Sequence, residues 1–486
     1  MISISRLLSQ IARDDPQRPA VTHEGQTITR QELDRQSNQL AREYAGLGVQ
    51  QGDMVTVVLP NSIEFYTACF AIWKLGAIPA PASARLPRDE LQGLIDLAGP
   101  TLVVGASGEQ VQASCPVLPP GHQVDPQLDD GPLPDRISPN WKAPCSGGST
   151  GRPKIIVSGS PGAFDFSGEL PIRLERNRSH LVTGPLYHNA PFTFSVNALL
   201  LGNHVVVMTR FDARHSLELI EKHRIDWLMM VPTMMRRIWL LPEAERQAFD
   251  LSSLRILLHL AAPCPPWLKE AFIEWLGAGV IHELFGGTEA TGVSWITGEE
   301  WLERRGSVGR LLAGKVRVLD DNGQDLPPGE IGELYMLPDT GQGSTYHYLG
   351  AEPRAVEGGW ESLGDMGYVD EDGYIYLSDR RTDMILAGGA NIYPAEVEAA
   401  IEAHPAVRSC AVIGLPDEDL GQAVHGIVDA PAGVTGEELA AFLGDKLVRY
   451  KIPRSFEFVG EPLRDDAGKV RRSALLEERK KNLAGG

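Results

Sequence analysis

A glycine-rich loop in the first third of the chain carries residue types that bind phosphate. Residues 144–154 read PCSGGSTGRPK, in which three glycines, two serines and a threonine precede Pro153 and Lys154. Glycine permits the positive φ angles that turn several backbone N–H groups toward one point, and hydroxyl groups add donors. The loop is not the P-loop of kinases and GTPases, because no hydroxyl residue follows the lysine. Taken alone, such a stretch is more often a flexible turn.

Motifs further along the chain support phosphate binding by this loop. ELFGGTEATG places Thr288 and Glu289 after a Gly-Gly turn, and a carboxylate beside a hydroxyl can hold Mg²⁺ against phosphate oxygens. Asp365 and Arg380 supply an acceptor and a donor for ribose hydroxyls or phosphate. Two later segments, LAGGANIYPAEVE and RDDAGKVRR, complete the series.

The overall composition excludes several function classes. The chain has 486 residues and a formal net charge of −19, which argues against a general binder of nucleic acid or anionic membranes. Its five cysteines are scattered, with no CxxC pair or metal-like spacing, which predicts reduced thiols. The N terminus lacks the apolar segment of a signal peptide, and no run approaches the length of a membrane span. We therefore expect a cytoplasmic protein.

Alternating helix-like and strand-like patterns predict an α/β fold. The apolar runs MVTVVL, TLVV, HVVVM, DWLMMV and LRILL predict buried strands separated by helices, which is typical of mostly parallel sheets. Thr29 and Thr435 each precede a glutamate by three residues, which predicts capping boxes, and Asn61 with Ser62 can cap the apolar helix that follows. After Arg380, VRSCAVIG, HGIVDA and SFEFVG predict the strands of a small α+β domain.

The ordered set of motifs resembles the ANL superfamily of adenylate-forming enzymes, which includes acyl-CoA synthetases, adenylation domains and luciferases. The resemblance covers essentially the whole chain. It implies a large N-terminal AMP-binding domain over residues 1–381, with α/β sheets and a β-rich subdomain. A small mobile α+β domain over residues 382–486, joined by a hinge, should carry the catalytic lysine.

The same resemblance implies that the glycine-rich loop holds the β- and γ-phosphates of ATP. Phe285 stands in the place of a family tyrosine and should stack on adenine, Thr288 should contact the α-phosphate, and Glu289 should hold Mg²⁺. His188, in PLYHNAPF, should lie beside the substrate carboxylate. The residues assigned to the nucleotide also include Ser146, Gly148, Ser149, Thr150 (which is assigned to catalysis as well), Gly151, Lys154, Ala262, Pro263, Glu283, Gly286, and the ribose pair Asp365 and Arg380.

The resemblance also implies a reaction in two steps. Lys469 is the expected catalytic lysine, which neutralises charge while a carboxylate attacks the α-phosphorus of ATP and pyrophosphate leaves. Rotation of the small domain should then withdraw Lys469 and bring Gly388 and Gly389 to a narrow tunnel for the thiol of coenzyme A. The expected cofactors are therefore ATP, Mg²⁺ and coenzyme A.

Three departures from the family pattern concern parts of this machinery. Gly147 stands where a serine is usual, so the loop lacks one hydroxyl donor. Thr382 occupies the hinge position, where an aspartate or lysine is usual. Pro462 and Leu463 are exchanged relative to the family order.

The sequence favours a hydrophobic carboxylic acid, bulky or polycyclic, as the substrate. Its pocket should lie between His188 and Glu289, with coenzyme A as the simplest thiol acceptor. A stand-alone enzyme that loads a carrier protein and a non-catalytic adenylate-binding protein remain alternatives, a luciferase-like oxidation is a more remote one, and a homodimer remains open. Candidate lining residues, for most of which ordinary core packing is the competing interpretation, are Phe192, Phe194, Val196, Met229, Met230, Val231, Ala261 and Gly287.

Overall fold

The computed structural model describes residues 1–147, 153–168, 170–380, 383–387, 390–417, 420–461, 463–465 and 468–484. Its strands, in chain order, are β1 (Ile2–Ser3), β2 (Pro19–His23), β3 (Gln26–Thr29), β4 (Met54–Val57), β5 (Ile78–Pro81), β6 (Leu102–Val104), β7 (Val117–Leu118), β8 (Cys145–Gly147), β9 (Pro153–Ser158), β10 (Ala163–Phe164), β11 (Ser179–Val182), β12 (His204–Val207), β13 (Trp227–Met230), β14 (Ile256–His259), β15 (Ile281–Gly286), β16 (Val293–Thr297), β17 (Ser307–Ala313), β18 (Lys315–Leu319), β19 (Gly332–Leu337), β20 (Tyr346–Leu349), β21 (Arg354–Val356), β22 (Trp360–Ser362), β23 (Asp365–Val369), β24 (Ile375–Arg380), β25 (Ile385–Ala387), β26 (Ala390–Ile392), β27 (Ser409–Asp417), β28 (Gly421–Asp429) and β29 (Ser455–Val459).

The helices lie between these strands and at the C-terminal end. They are α1 (Ile4–Asp14), α2 (Arg30–Gly46), α3 (Ile63–Lys74), α4 (Arg88–Ala98), α5 (Asn189–Leu200), α6 (Ala213–His223), α7 (Pro232–Trp239), α8 (Glu243–Arg246), α9 (Pro266–Leu276), α10 (Gly298–Glu303), α11 (Pro394–Glu402), α12 (Gly436–Gly444) and α13 (Arg472–Ala484), with a 3₁₀ helix at Arg449–Lys451. None of the helices in the described ranges combines the length and the apolar character that a membrane crossing requires.

The largest sheet is parallel in one half and antiparallel in the other. Strands β2, β12, β11, β13, β14 and β15 lie side by side in that order, and each neighbouring pair is parallel. From β15 onward the sheet continues through β16, β17, β24, β23 and β19, and these pairs are antiparallel. The expectation of mostly parallel sheets is therefore correct up to β15 and wrong beyond it, where the sheet forms the β-rich part that the resemblance implied.

The apolar runs form the parallel strands because both faces of that half are covered. Every residue of β13 and β14 is buried, as is usual where helices pack on both sides of a parallel sheet. Since all carboxyl ends of parallel strands meet at one edge, the loops after β11, β13, β14 and β15 meet there too. A second, smaller parallel sheet contains β5, β4, β6 and β7.

The glycine-rich loop joins two strands of a small antiparallel sheet. Ser146 of β8 lies opposite Lys154 of β9, and β9 pairs on its other side with β20. This pairing brings Lys154 close to the residues of β20, which lie far away in the sequence.

The C-terminal region has its own sheet and core. β27 and β28 form a long antiparallel pair, as VRSCAVIG and HGIVDA predicted, and β29 runs parallel to β28. Thr435 forms the predicted capping box with Glu438, and Thr29 forms the other with Glu32. The Thr-x-x-Glu spacing therefore predicted the start of both helices correctly.

Candidate active site

Loops at the carboxyl edge of the parallel strands carry many of the candidate site residues. The loop after β11 leads to His188, which is the N-cap residue of α5. The turn after β14 contains residues 261–263, and β15 ends at Gly286, shortly before Glu289. This edge is where open parallel sheets bind their ligands.

Asn61 holds the loop that leads to His188. Its side-chain amide donates to the carbonyls of Gly184 and Met208 at 3.0 and 2.9 Å, and its oxygen accepts from the N–H of Leu186 at 2.8 Å. The prediction that Asn61 caps the following helix is wrong, because Ser62 alone accepts from the helix, through the N–H of Phe65. Asn61 instead satisfies buried backbone groups of a distant loop. This contact fixes the approach to His188.

Glu289 lies at the centre of a small polar cluster. Its side chain is 7% exposed, and Oε1 accepts a hydrogen bond from the Tyr348 hydroxyl at 2.6 Å. Lys154 Nζ lies 3.3 Å from the same oxygen and 4.2 Å from the centroid of the Tyr348 ring. Burial and the Glu289 carboxylate raise the pKa of Tyr348, so the phenol keeps its proton and donates at neutral pH. The cluster holds the glutamate in one orientation beside a positive charge.

Glu283 belongs to a second, fully enclosed group of charges. Lys269 Nζ donates to its carboxylate at 2.6 Å, and His259 Nε2 lies 3.8 Å away. Burial alone would raise the pKa of Glu283, but Lys269 and His259 outweigh it and lower that pKa. Burial lowers the pKa of His259 to about 4, so its ring is neutral at pH 7. A charged Glu283 is thus held within β15, beside the end of β14.

Strand register places the two residues of the expected ribose pair side by side. Asp365 and Arg380 are Cα partners in the antiparallel pair of β23 and β24. Asp365 is half-buried. Asp370 and Asp372 lie in the turn between these strands, where Asp370 Oδ1 accepts from the backbone N–H groups of Asp372 and Tyr374.

Lys469 lies in a turn that contacts the large domain. Its N–H donates to Asp465 Oδ1 at 2.9 Å, and the Asp465 N–H donates to its carbonyl at 3.0 Å. The preceding Gly468 has φ +75° and lies so close to α7 that a Cβ atom would meet Thr233 Oγ1 at 3.1 Å. Since α7 follows β13, this contact brings the exposed Lys469 to the carboxyl edge of the sheet.

Several other residues that were expected to bind the nucleotide lie at this edge and are partly exposed to solvent. Ala262, Phe285 and Thr288 are half-buried, and Pro263 and Gly286 are exposed. Phe285 packs partly against a small apolar cluster on the antiparallel half of the sheet. Their contacts with a nucleotide stay predictions.

Part of the expected machinery lies outside the described residues. It comprises Gly148, Ser149, Thr150, Gly151, Thr382, Gly388, Gly389 and Pro462.

The candidate acyl-pocket residues pack mainly in the protein core. Phe192 stacks on Trp141 with ring centroids 5.9 Å apart, inside the largest apolar cluster. Met230 and Val231 belong to a different cluster. Core packing therefore accounts for these side chains, whereas Ala261 is exposed and Gly287 is half-buried at the edge.

Sequence reasoning missed the side chains that hold the site residues. Tyr348 bonds Glu289 across 59 positions of the chain, and Lys269 bonds Glu283 across 14 positions. No local spacing signals either partner, since both contacts arise only when β20 and α9 pack beside the site.

Comparison with known proteins identifies the family. Residues 8–340 match the model of the AMP-binding enzyme family, and residues 396–469 match that of the AMP-binding enzyme C-terminal domain. A feruloyl-CoA synthase of Amycolatopsis sp is 33% identical over 475 residues, which cover 94% of this chain and 95% of the relative. A fatty acid–acyl-carrier-protein ligase of Streptomyces coeruleorubidus is 30% identical, covering 96% of this chain and 94% of the relative.

Solved structures agree with this result. The o-succinylbenzoate CoA synthetase of Bacillus subtilis, solved in complex with its acyl-adenylate intermediate, superposes with a TM-score of 0.81 at 26% identity, and the match covers 96% of this chain and 97% of the other. The two domain types are those that the motifs implied. This chain belongs to the AMP-binding enzyme family, within the ANL superfamily of adenylate-forming enzymes.

Proposed function

We propose that this protein is an AMP-forming acyl-CoA synthetase that activates a hydrophobic, aromatic or polycyclic carboxylic acid. One observation carries the proposal. Tyr348 and Lys154 hold the carboxylate of Glu289, while the Lys469 turn contacts α7 at the carboxyl edge of the same sheet. The position of the two lysines and the glutamate suits a reaction in which negative charges must approach one another.

In the first step, an oxygen of the substrate carboxylate attacks the α-phosphorus of ATP. A P–O bond to the carboxylate forms, the P–O bond to pyrophosphate breaks, and an acyl-adenylate remains. Lys154 and Lys469 supply positive charge for this approach of anions, and Asp365 with Arg380 orients the ribose.

The residues around Glu289 fit a Mg²⁺ ion that is held mainly by the nucleotide. Within the described ranges no three His, Cys, Asp or Glu side chains gather into a metal site of their own. Mg²⁺ commonly binds through one or two carboxylates together with substrate phosphates. Glu289, with Thr288 beside it, would hold the ion, which would neutralise phosphate charge.

In the second step, the thiol of coenzyme A attacks the acyl carbonyl, a thioester forms, and AMP leaves. The thiol of coenzyme A is expected to reach the site past Gly388 and Gly389, after the small domain has rotated. A carrier-protein thiol is the second candidate acceptor, because one relative is named a fatty acid–acyl-carrier-protein ligase.

Two similar proteins favour an aromatic acid as substrate. The relative from Amycolatopsis sp is named for feruloyl-CoA, and the similar solved structure is named for o-succinylbenzoate. We infer that the substrate of this protein is aromatic too. We do not infer that it is either of these two acids.

Mass spectrometry of one reaction set tests the function. The protein is incubated with ATP, Mg²⁺, coenzyme A and a panel of aromatic, polycyclic and aliphatic acids. Acyl-CoA together with AMP from an aromatic or polycyclic acid is expected. Acyl-AMP without acyl-CoA would favour the carrier-protein acceptor, and absence of both products across the panel would contradict the proposal.

A Lys469→Ala variant tests the assigned role of the lysine. It should lose formation of the acyl-adenylate far more than it loses thioester formation from a supplied acyl-adenylate, because Lys469 acts on the phosphate chemistry only. Equal loss in both steps would contradict that role.

A further inference from the structure

Arg236 forms a buried contact between the large and the small domain. It is 4% exposed and donates from Nη1 to the carbonyl of Glu402 and from Nη2 to the carbonyl of Val407. Glu402 is the last residue of α11, where the unpaired carbonyls carry partial negative charge. The guanidinium therefore caps a helix of the small domain from the large one.

The position of Arg236 connects this contact with the Lys469 turn. Thr233 lies three residues earlier on α7, and its hydroxyl is the atom that Gly468 approaches. Residues three apart on a helix lie on the same face. One face of α7 thus contacts both the Lys469 turn and the end of α11.

α11 is itself tied to the Lys469 turn inside the small domain. Its buried Glu398 accepts from Arg464 at 2.7 Å and from Arg472 at 2.8 Å. Arg464 also donates to the carbonyl of Gly468 at 3.2 Å, and Arg472 pairs with Asp383, which follows the hinge position, at 2.7 Å. A displacement of α11 would therefore displace the turn that carries Lys469.

The bonding of Arg236 suits a contact that forms and breaks. Within the described residues it makes no ion pair, and no hydrogen bond satisfies its Nε. Burial removes the guanidinium from water, which is unfavourable for a charged group and lowers the pKa of Arg236. If the small domain moves away, the guanidinium returns to solvent. Its hydrogen bonds with water then offset the loss of the two bonds to carbonyls.

We infer that Arg236 is a positioning residue for the adenylation step, because it holds the small domain in the arrangement that brings the Lys469 turn to the site. This inference rests on the proposed function. Transfer of the acyl group to the thiol requires the other arrangement, in which the contact with α11 is absent, and Arg236 should not serve it.

Half-reaction rates of Arg236→Met test this role. Acyl-adenylate formation is measured by pyrophosphate exchange, and thioester formation is measured from a supplied synthetic acyl-adenylate. Adenylation should fall about tenfold to a hundredfold, since two bonds from a charged group to carbonyls are lost. Thioester formation should stay within about twofold of the wild type.

Two further variants distinguish positioning from a general loss of structure. Arg236→Lys keeps the charge but not the fork that reaches two carbonyls, so an intermediate loss is expected. Arg237→Met is the matched control, because Arg237 is its half-buried neighbour on α7, and it should behave as the wild type. Equal loss in both half-reactions of Arg236→Met, or unchanged adenylation, would overturn the inference.

Amide hydrogen exchange gives a readout that does not depend on activity. In Arg236→Met, amides at the end of α11 and in the first turn of α7 should exchange faster, while those of β27 and β28 stay unchanged. Unchanged exchange at α11 would overturn the inference. If the wild type forms no acyl-adenylate from any acid, the proposed function fails, and the exchange comparison still decides whether Arg236 holds the domain.

Discussion

At the scale of single residues, the site depends on side chains that orient the reacting groups. Tyr348 is the clearest case, because its hydroxyl donates to the buried carboxylate of Glu289 at 2.6 Å. No local pattern in the sequence predicts this hydrogen bond. The bond depends on the register that places β20 beside β9.

Replacement of Tyr348 by phenylalanine should therefore slow adenylation. The bond joins a neutral donor to a carboxylate, so we expect a loss of about tenfold in pyrophosphate exchange. Tyr374→Phe is the matched control, because the Tyr374 hydroxyl donates to Glu300 at 3.0 Å and not to Glu289. A Tyr348→Phe variant as fast as this control would show that Glu289 needs no such support.

Lys142 is a second buried residue with a measurable consequence. Its ammonium donates to Asn189 and, at 2.5 Å, to Thr193 Oγ1, and no carboxylate of the described residues pairs with it. Burial lowers the pKa of Lys142 from 10.5 to about 7. Between these pH values the unfolded chain binds a proton that the folded chain lacks, so the free energy of unfolding should rise with pH.

A Lys142→Met variant should lose this pH dependence. The slope of the free energy of unfolding against pH, measured by denaturant unfolding, should fall by up to about 1.4 kcal/mol per pH unit between neutral pH and the usual lysine pKa. Asn189 and Thr193 can still bond each other, at 3.2 Å. The exposed Lys315→Met variant is the control, and equal slopes in both variants would contradict the assignment.

At the scale of elements, the connection from β15 to β16 places Glu289 within a tight space. A Cβ atom at Gly287 would lie 2.3 Å from Leu363 Cδ1 and 2.8 Å from Glu289 Oε2. Because glycine has no side chain, this connection can lie directly against Leu363, the residue after β22, while Glu289 keeps its orientation.

A Gly287→Ala variant should shift the Glu289 carboxylate and lower adenylation about tenfold or more, since small displacements of catalytic groups are costly. Thermal stability should change little, because both crowded atoms are ends of side chains. Gly292→Ala is also crowded, with the added Cβ 2.6 Å from Met336 Sδ, and should keep full activity. The same pyrophosphate-exchange assay compares them, and equal activity of the two variants would contradict the account.

The elements also show what the sequence could predict. Capping boxes at Thr29 and Thr435 depend on neighbours three residues away, and both were predictable. The role of Asn61 was not, because its partners, Gly184 and Met208, lie more than a hundred positions away. Family motifs located Glu289 and Lys469, but the groups that hold them follow from strand register and helix packing.

At the scale of the whole molecule, two domains contribute residues to the proposed reaction. The large domain supplies the carboxyl edge of the parallel strands, and the small domain supplies Lys469 through the contact of its turn with α7. In the proposed function, this arrangement serves transfer of the adenylyl group, and transfer to the thiol requires its release.

Isotope transfer tests the central claim, which is that the acid attacks the α-phosphorus of ATP. A carboxylic acid that the protein uses as a substrate is labelled with ¹⁸O at both carboxylate oxygens and incubated with the protein, ATP, Mg²⁺ and coenzyme A. The masses of the products are then measured by mass spectrometry. AMP is expected to carry one labelled oxygen, and pyrophosphate is expected to carry none. Label in inorganic phosphate or pyrophosphate, or unlabelled AMP beside labelled thioester, would contradict the claim.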